Sequence, residues 1–146
     1  MLVKNVSYIA NYLWQKSMEN IDHILSKEEK EKFNVADYYY LTTIYYMDKP
    51  NFGDVSSKLG LTKPAISALI KRLEVIGFIQ KQQSPEDKRI FYLELTEKGK
   101  KVVEGDNSLY LQFGEVIQSI VTKEQMEEVE CLFEQVAEIL KSEVAK

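Results

Sequence analysis

Residues 55–79 read VSSKLGLTKPAISALIKRLEVIGFI, and the way this stretch divides decides the fold. Val55 and Leu59 give a short helix one inward face, and Gly60 suits the left-handed turn that closes it. Thr62 is an N-cap residue, and Pro64 falls in the first turn behind it, where a missing N–H costs little. Ile66, Leu69, Ile70 and Leu73 then recur at i, i+3, i+4 and i+7, the stripe of a half-buried helix, and Gly77 stops it. Two short helices joined by a glycine turn, the second with a free face opposite its buried one, form a helix-turn-helix.

Toward the C-terminus the period changes from helical to extended. Phe78 to Gln83 and Arg89 to Leu95 are predicted strands, rich in β-formers at Ile90, Phe91, Tyr92 and Leu93. Ser84 to Lys88 is polar and contains Pro85, so it is expected to be an exposed, mobile hairpin tip, a wing. Thr96-Glu97-Lys98-Gly99 opens a helix to about Val121, with Leu109, Phe113, Val116, Ile117 and Ile120 on one side. Gly105 and Gly114 fall inside that helix, where each weakens it relative to alanine. Thr122 and Gln125 make a capping box for a last helix lined by Val129, Leu132, Phe133, Val136 and Leu140.

Toward the N-terminus, Val6, Ile9, Ala10, Leu13, Ile21, Ile24 and Leu25 mark a helix over Val3–Leu25, followed by a capping box at Ser26. Asn34 caps the next helix, with Asp37 in its first turn, and Pro50 ends it after about Met47. Asn51 caps the short helix that carries Val55. The expected fold is therefore mainly α with a small β-hairpin wing: a winged helix-turn-helix over 34–104 within a single domain of 1–146. Segments 1–33 and 105–146 carry more apolar face than a small winged unit needs. A second copy of the chain is the simplest partner for those faces, with Val6, Leu13, Leu132, Phe133 and Leu140 among the dimer residues.

The net charge is −4, but the average misleads. Lys58 to Lys101 holds ten basic residues against five acidic ones, a net of +5, which leaves −9 elsewhere. That asymmetry points to a basic working surface on an acidic body, with chance clustering as the bland alternative. No apolar run approaches a membrane span, the start lacks a secretory pattern, and Cys131 is the single cysteine, so a cytoplasmic protein without membrane partners is expected.

Both quoted regions, 55–79 and SPEDKRIFYLELTEKG at 84–99, resemble the multiple-antibiotic-resistance regulator (MarR) family, and the similarity runs over nearly the whole chain. The stronger part is Asp87-x-Arg89 at the wing tip, followed by Leu95-Thr96-Glu97-Lys98-Gly99 at the right distance after the second helix. The resemblance implies a homodimer on palindromic double-stranded DNA, often released by a small-molecule effector. One departure is Ala68, where many members carry a long polar or basic side chain, so the operator need not be that of relatives.

Without its buried stripe, the helix after Thr62 presents Thr62, Lys63, Pro64, Ala65, Ser67, Ala68, Lys71 and Arg72. Thr62, Lys63 and Ser67 donate hydrogen bonds, while Ala65 and Ala68 suit a thymine methyl. Lys71 and Arg72 suit phosphates, although Arg72 has Glu74 and other acids as rival partners. Lys88 and Arg89 on the wing suit a narrow minor groove. The resemblance implies that Asp87 orients Arg89 and braces the wing; the alternative is a surface ion pair worth at most about 1 kcal/mol.

Seven of nine tyrosines precede residue 47. Tyr8, Tyr12, Tyr38, Tyr39 and Tyr45, with Trp14 and His23, are candidates for an aromatic effector pocket, and a tyrosine-rich core and surface is an equal reading. An enzyme finds little support: there is no phosphate loop, nucleophile elbow or zinc spacing. His23 is the single histidine, and although Glu19 shares its helix face, no metal or cofactor site is expected. Cys131 lies among Glu127, Glu128 and Glu130, which disfavour a reactive thiolate, so it reads as a small dimer-helix residue. The alternative function is a winged-helix interaction module without DNA binding, which the +5 segment argues against.

Overall fold

Seven helices and one hairpin follow each other in a computed structural model that describes residues 1–144: α1 (Leu2–Ile24), α2 (Lys27–Lys32), α3 (Val35–Tyr45), α4 (Phe52–Leu59), α5 (Lys63–Ile76), β1 (Ile79–Gln83), β2 (Phe91–Leu95), α6 (Glu97–Ile120) and α7 (Lys123–Val144). The helix starts come from side chains that satisfy free first-turn N–H groups. Ser26 with Glu29, Asn34 with Asp37, and Asn51 with Asp54 each form a reciprocal capping box. Thr122 and Gln125 exchange the same pair of bonds ahead of α7. Gly60 (φ 63°) and Gly77 (φ 81°) close α4 and α5 in the left-handed region that only glycine adopts without penalty.

Met1–Asn107 forms one compact unit. Its core joins Leu41 and Ile44 of α3, Val55 of α4, the stripe Ile66, Leu69, Ile70 and Leu73 of α5, and Val102 and Val103 of α6. Phe78 is fully buried at the end of α5 and packs edge-on against Phe33 at 5.6 Å. β1 and β2 pair antiparallel, with Ile79 opposite Leu95 and Gln83 opposite Phe91. A short third edge joins them, where Asn51 bridges Tyr92 and the Leu93 N–H donates to the Pro50 carbonyl at 2.8 Å. The fold is a winged helix-turn-helix, mainly α with one hairpin.

Several expectations need correction. Segment 1–33 also contributes to the core of the winged unit, where Ser17, Ile21 and Leu25 are buried and the last two belong to the apolar cluster. The compact division falls after Asn107. Arg89 and Ile90 lie outside β2, in the turn. Gly105 and Gly114 do not interrupt α6, which is continuous from Glu97 to Ile120. Gly105 instead gives room to Asn20, whose amide donates to the Val102 carbonyl at 3.2 Å.

From Ser108 onward the chain forms the second unit, the rest of α6 followed by α7. Many of its apolar residues are exposed: Leu111, Val116 and Ile120 on α6, and Leu132, Phe133, Val136, Ile139 and Leu140 on α7. The α7 set follows i, i+1, i+4, i+7 and i+8, an apolar stripe exposed among the described residues. On α1, Leu2, Val3 and Val6 are likewise exposed, and Leu13 is half-buried. Among the described residues no helix is long and apolar enough to cross a membrane.

Candidate nucleic-acid interface

The free face of α5 begins at its N-cap. The Thr62 hydroxyl accepts the Ala65 N–H at 3.4 Å, which leaves the first turn, with Lys63 and Pro64, standing out from the body. Thr62, Lys63, Pro64, Ala65, Ser67, Ala68 and Lys71 are exposed, in phase with the buried stripe. α4 is set against α5 through the turn at Gly60, where the Ser56 hydroxyl donates to the Leu61 carbonyl at 2.6 Å.

Arg72 behaves differently from its neighbours. Its guanidinium grips the Asp37 carboxylate side-on, with Nε to Oδ2 at 3.2 Å and Nη2 to Oδ1 at 2.5 Å. Asp37 is fully buried, and the same Oδ2 also accepts the Asn34 N–H at 3.1 Å. The bond to Asp37 raises the Arg72 pKa further above its ordinary value. Of the two sequence readings of Arg72, a phosphate ligand or a partner for an acid, the geometry shows the second. The acid is Asp37, while Glu74 is taken by Lys81 at 2.9 Å.

The same division runs through the basic segment. Lys98 bonds Glu29 at 2.6 Å and the Ile76 carbonyl at 2.9 Å, and Lys100 pairs with Glu97 at 2.9 Å. The Lys98 ammonium, aided by the Ser26 N–H, holds the Glu29 carboxyl down to about 2. Lys58, Lys63, Lys71, Lys88, Arg89 and Lys101 are exposed and outside any salt bridge among the described residues. The cations left available are therefore on the free face of α5, on the wing tip, and at Lys58 and Lys101.

The wing tip is hydrogen-bonded rather than loose. The buried Ser84 hydroxyl accepts the N–H groups of Glu86 and Asp87, both at 3.3 Å. Asp87 Oδ1 accepts the Arg89 N–H at 2.9 Å, and the Gln83 amide donates to the Lys88 carbonyl at 2.8 Å. Asp87 thus braces the wing through the backbone of Arg89, and among the described residues it forms no salt bridge with the guanidinium. A tip expected to be mobile is tied by its own serine and aspartate.

The MarR family model matches residues 33–91, which takes in α3 to the start of β2. The uncharacterised HTH-type transcriptional regulator YybA of Bacillus subtilis (strain 168) is 36% identical, over 69% of this chain and 67% of its own length. The chain belongs to the MarR family. A second relative, the uncharacterised HTH-type transcriptional regulator YkoM of the same organism, is 28% identical over 57% of the chain, and the chain spans about half of its length (54%). The S. aureus MepR–DNA complex superimposes with a TM-score of 0.68 at 20% identity, covering 92% of this chain and 96% of the other; at that identity the likeness carries the MarR fold alone.

The aromatic residues singled out from the sequence are spread over the unit. Trp14 and Tyr38 meet edge-on at 6.4 Å, and the Tyr38 hydroxyl lies 3.5 Å from that of Ser17. Tyr8, Tyr12 and Tyr39 are exposed. Tyr45 packs against Tyr46 at 5.1 Å and lines a cleft of about 310 Å³ with Lys49 and Lys100. A more apolar cavity of about 160 Å³ is lined by Met18, Ile21, Leu25 and Phe33, none of them in the tyrosine set. His23 Nδ1 lies 2.7 Å from the Glu19 carbonyl oxygen, and the Glu19 carboxylate is engaged by Lys16 and Gln15. Cys131 is exposed on α7 and accepts the Gln135 amide at 3.2 Å.

Sequence reasoning missed two acids. Asp37 was read only as a first-turn helix residue, and its spacing from Asn34 explains the cap but not the partner 35 residues away. Asp106 was not singled out at all. It is buried, and both carboxylate oxygens are without a hydrogen-bond partner.

Proposed function

We propose that the chain is a sequence-specific DNA-binding transcriptional regulator, a repressor in the cytoplasm that binds a palindromic operator as a homodimer. The observation that carries this reading is the free face of α5. Its exposed short side chains and unpaired lysines are followed by a braced wing tip with Lys88 and Arg89, while neighbouring cations are consumed in internal pairs. Helices of this kind meet base edges with their N-terminal residues, and two copies would enter successive major grooves about 34 Å apart. Base contact falls to Lys63, Ala65, Ser67 and Ala68, and charge to Lys71, Lys88 and Arg89. MepR, solved on DNA, supports the reading by its fold.

The exposed apolar faces of α1, α6 and α7 support the dimer, through Val6, Leu13, Leu132, Phe133 and Leu140. A small aromatic ligand acting among the residues around Trp14 and Tyr38 is the reading of effector release. No catalytic role is assigned.

The test is capture of genomic fragments by the purified protein, followed by binding titrations of the recovered fragment and of random duplex across a salt series. Preference for the recovered fragment, with affinity falling steeply as salt rises, is expected. Absence of both would leave an interaction module as the better description.

A further inference from the structure

The geometry points to Asp37 as a positioning residue for base reading: with Arg72 it pins α5 to the first turn of α3, and Arg72 is not a phosphate ligand. The inference rests on the DNA-binding reading above and deepens it. On α5, Arg72 follows Ala65 and Ala68 at i+7 and i+4, so all three lie along one stripe of the helix. The stripe that faces outward at the two alanines therefore ends in an arginine bound to a buried acid. Apart from Lys63, the groups offered along the N-terminal half, at Thr62, Ala65, Ser67 and Ala68, are short. A long side chain can follow a base when its helix shifts; a methyl or a hydroxymethyl cannot. Recognition by short side chains therefore needs the helix axis held within about half an ångström, the usual tolerance of a working constellation.

The Asp37–Arg72 pair has the form such a constraint requires. A side-on, two-bond guanidinium–carboxylate contact fixes direction as well as distance. The carboxylate is itself fixed, because Oδ2 also closes the capping box through the Asn34 N–H. Asp37 is fully buried, whereas the Arg72 side chain is 39% exposed, so the acid is the fixed end of the pair and the helix residue the adjustable one. A lysine at 72 would keep the charge and lose the two-bond geometry.

The experiment compares operator with random duplex of equal length, across a salt series, for the full chain and for Arg72→Lys, Asp37→Asn and the double variant Asp37→Asn/Arg72→Gln. The double variant leaves no buried unpaired charge, so it keeps the test readable where a single variant folds poorly. The expected result is a fall of about tenfold in the operator-to-random affinity ratio for all three, the scale of one lost base contact. The salt slope should stay at the wild-type value, as should affinity for random duplex. In the DNA-free protein, the Arg72 Nε–H should give a resolved, slowly exchanging NMR signal that is lost in Asp37→Asn. An unchanged ratio in Arg72→Lys would overturn the inference. So would a salt slope reduced by roughly one per subunit in the double variant with the ratio intact, the mark of a phosphate contact. A wild-type protein with no salt-dependent DNA binding would sink the proposed function and this role with it, whereas retained discrimination in the variants would sink the pin alone.

Discussion

Asp106 and Glu29 illustrate how burial and pairing move carboxyl groups in opposite directions. Burial pushes the Asp106 carboxyl up; Ser17 stands close enough to oppose that shift but makes no hydrogen bond of good geometry. In the unfolded chain Asp106 ionises near pH 4, while the folded chain still holds the proton. Stability therefore falls as pH rises through that value, until the folded group has ionised too. Asp106→Asn should raise the melting temperature at pH 7.5 and leave it nearly unchanged at pH 3.5; an equal shift at both would remove the burial argument. Glu29 has the reverse sign. Its pKa is held at about 2 by Lys98, so its contribution is complete above the ordinary carboxyl range and is lost as pH falls from about 4 to 2. Glu29→Gln should lower the melting temperature at pH 7, and the deficit should close on acidification. Neither effect was legible in the sequence. One depends on burial and the other on a partner distant along the chain, Lys98 being 69 residues from Glu29. What could be read was local: the capping residues Ser26, Asn34, Asn51, Thr62 and Thr122 all do what their spacing implied.

At the scale of elements, the stripe of α5 and the glycines that bound it were readable because periodicity and left-handed turns are short-range properties. Gly105 was misread because its reason lies on another element, the Asn20 side chain of α1. A Cβ on Gly99 would run into the backbone carbonyl of Phe78, whereas one on Gly114 would meet nothing within 4 Å. Gly99→Ala should cost roughly 1–3 kcal/mol or more by overpacking against backbone that cannot yield. Gly114→Ala should stabilise α6 by up to about 1 kcal/mol, the difference in helix propensity. Chemical denaturation of the two variants checks both signs, and a destabilised Gly114→Ala would place another surface against that position. The hairpin was legible as a hairpin, but its third edge at Pro50 and Asn51 was not, because a proline that ends a helix gives no sign that its carbonyl will accept from a strand.

For the molecule as a whole, the apolar faces of α1 and α7 predict association. Sedimentation should show a dimer at micromolar concentration, and replacing Leu132 and Phe133 together with serine should weaken it; a well-folded monomer in the wild type would refute the assignment. Arg89→Ala should leave that dimer intact and lower DNA affinity, with the larger loss on sites with A·T-rich flanks, where the minor groove is narrow. Unchanged affinity and salt dependence would remove the wing from the interface. The tying of the wing tip also bears on how the molecule survives proteolysis. Lys88 and Arg89 are exposed and adjacent, which marks the bond between them as a trypsin target on sequence alone. A protease must draw its substrate into an extended strand and polarise the scissile carbonyl, yet Gln83 holds the Lys88 carbonyl and Asp87 holds the Arg89 N–H. Cleavage there has to wait for the turn to open, so limited digestion should spare the wing until Asp87 is replaced by alanine, after which the chain should be nicked at residue 88.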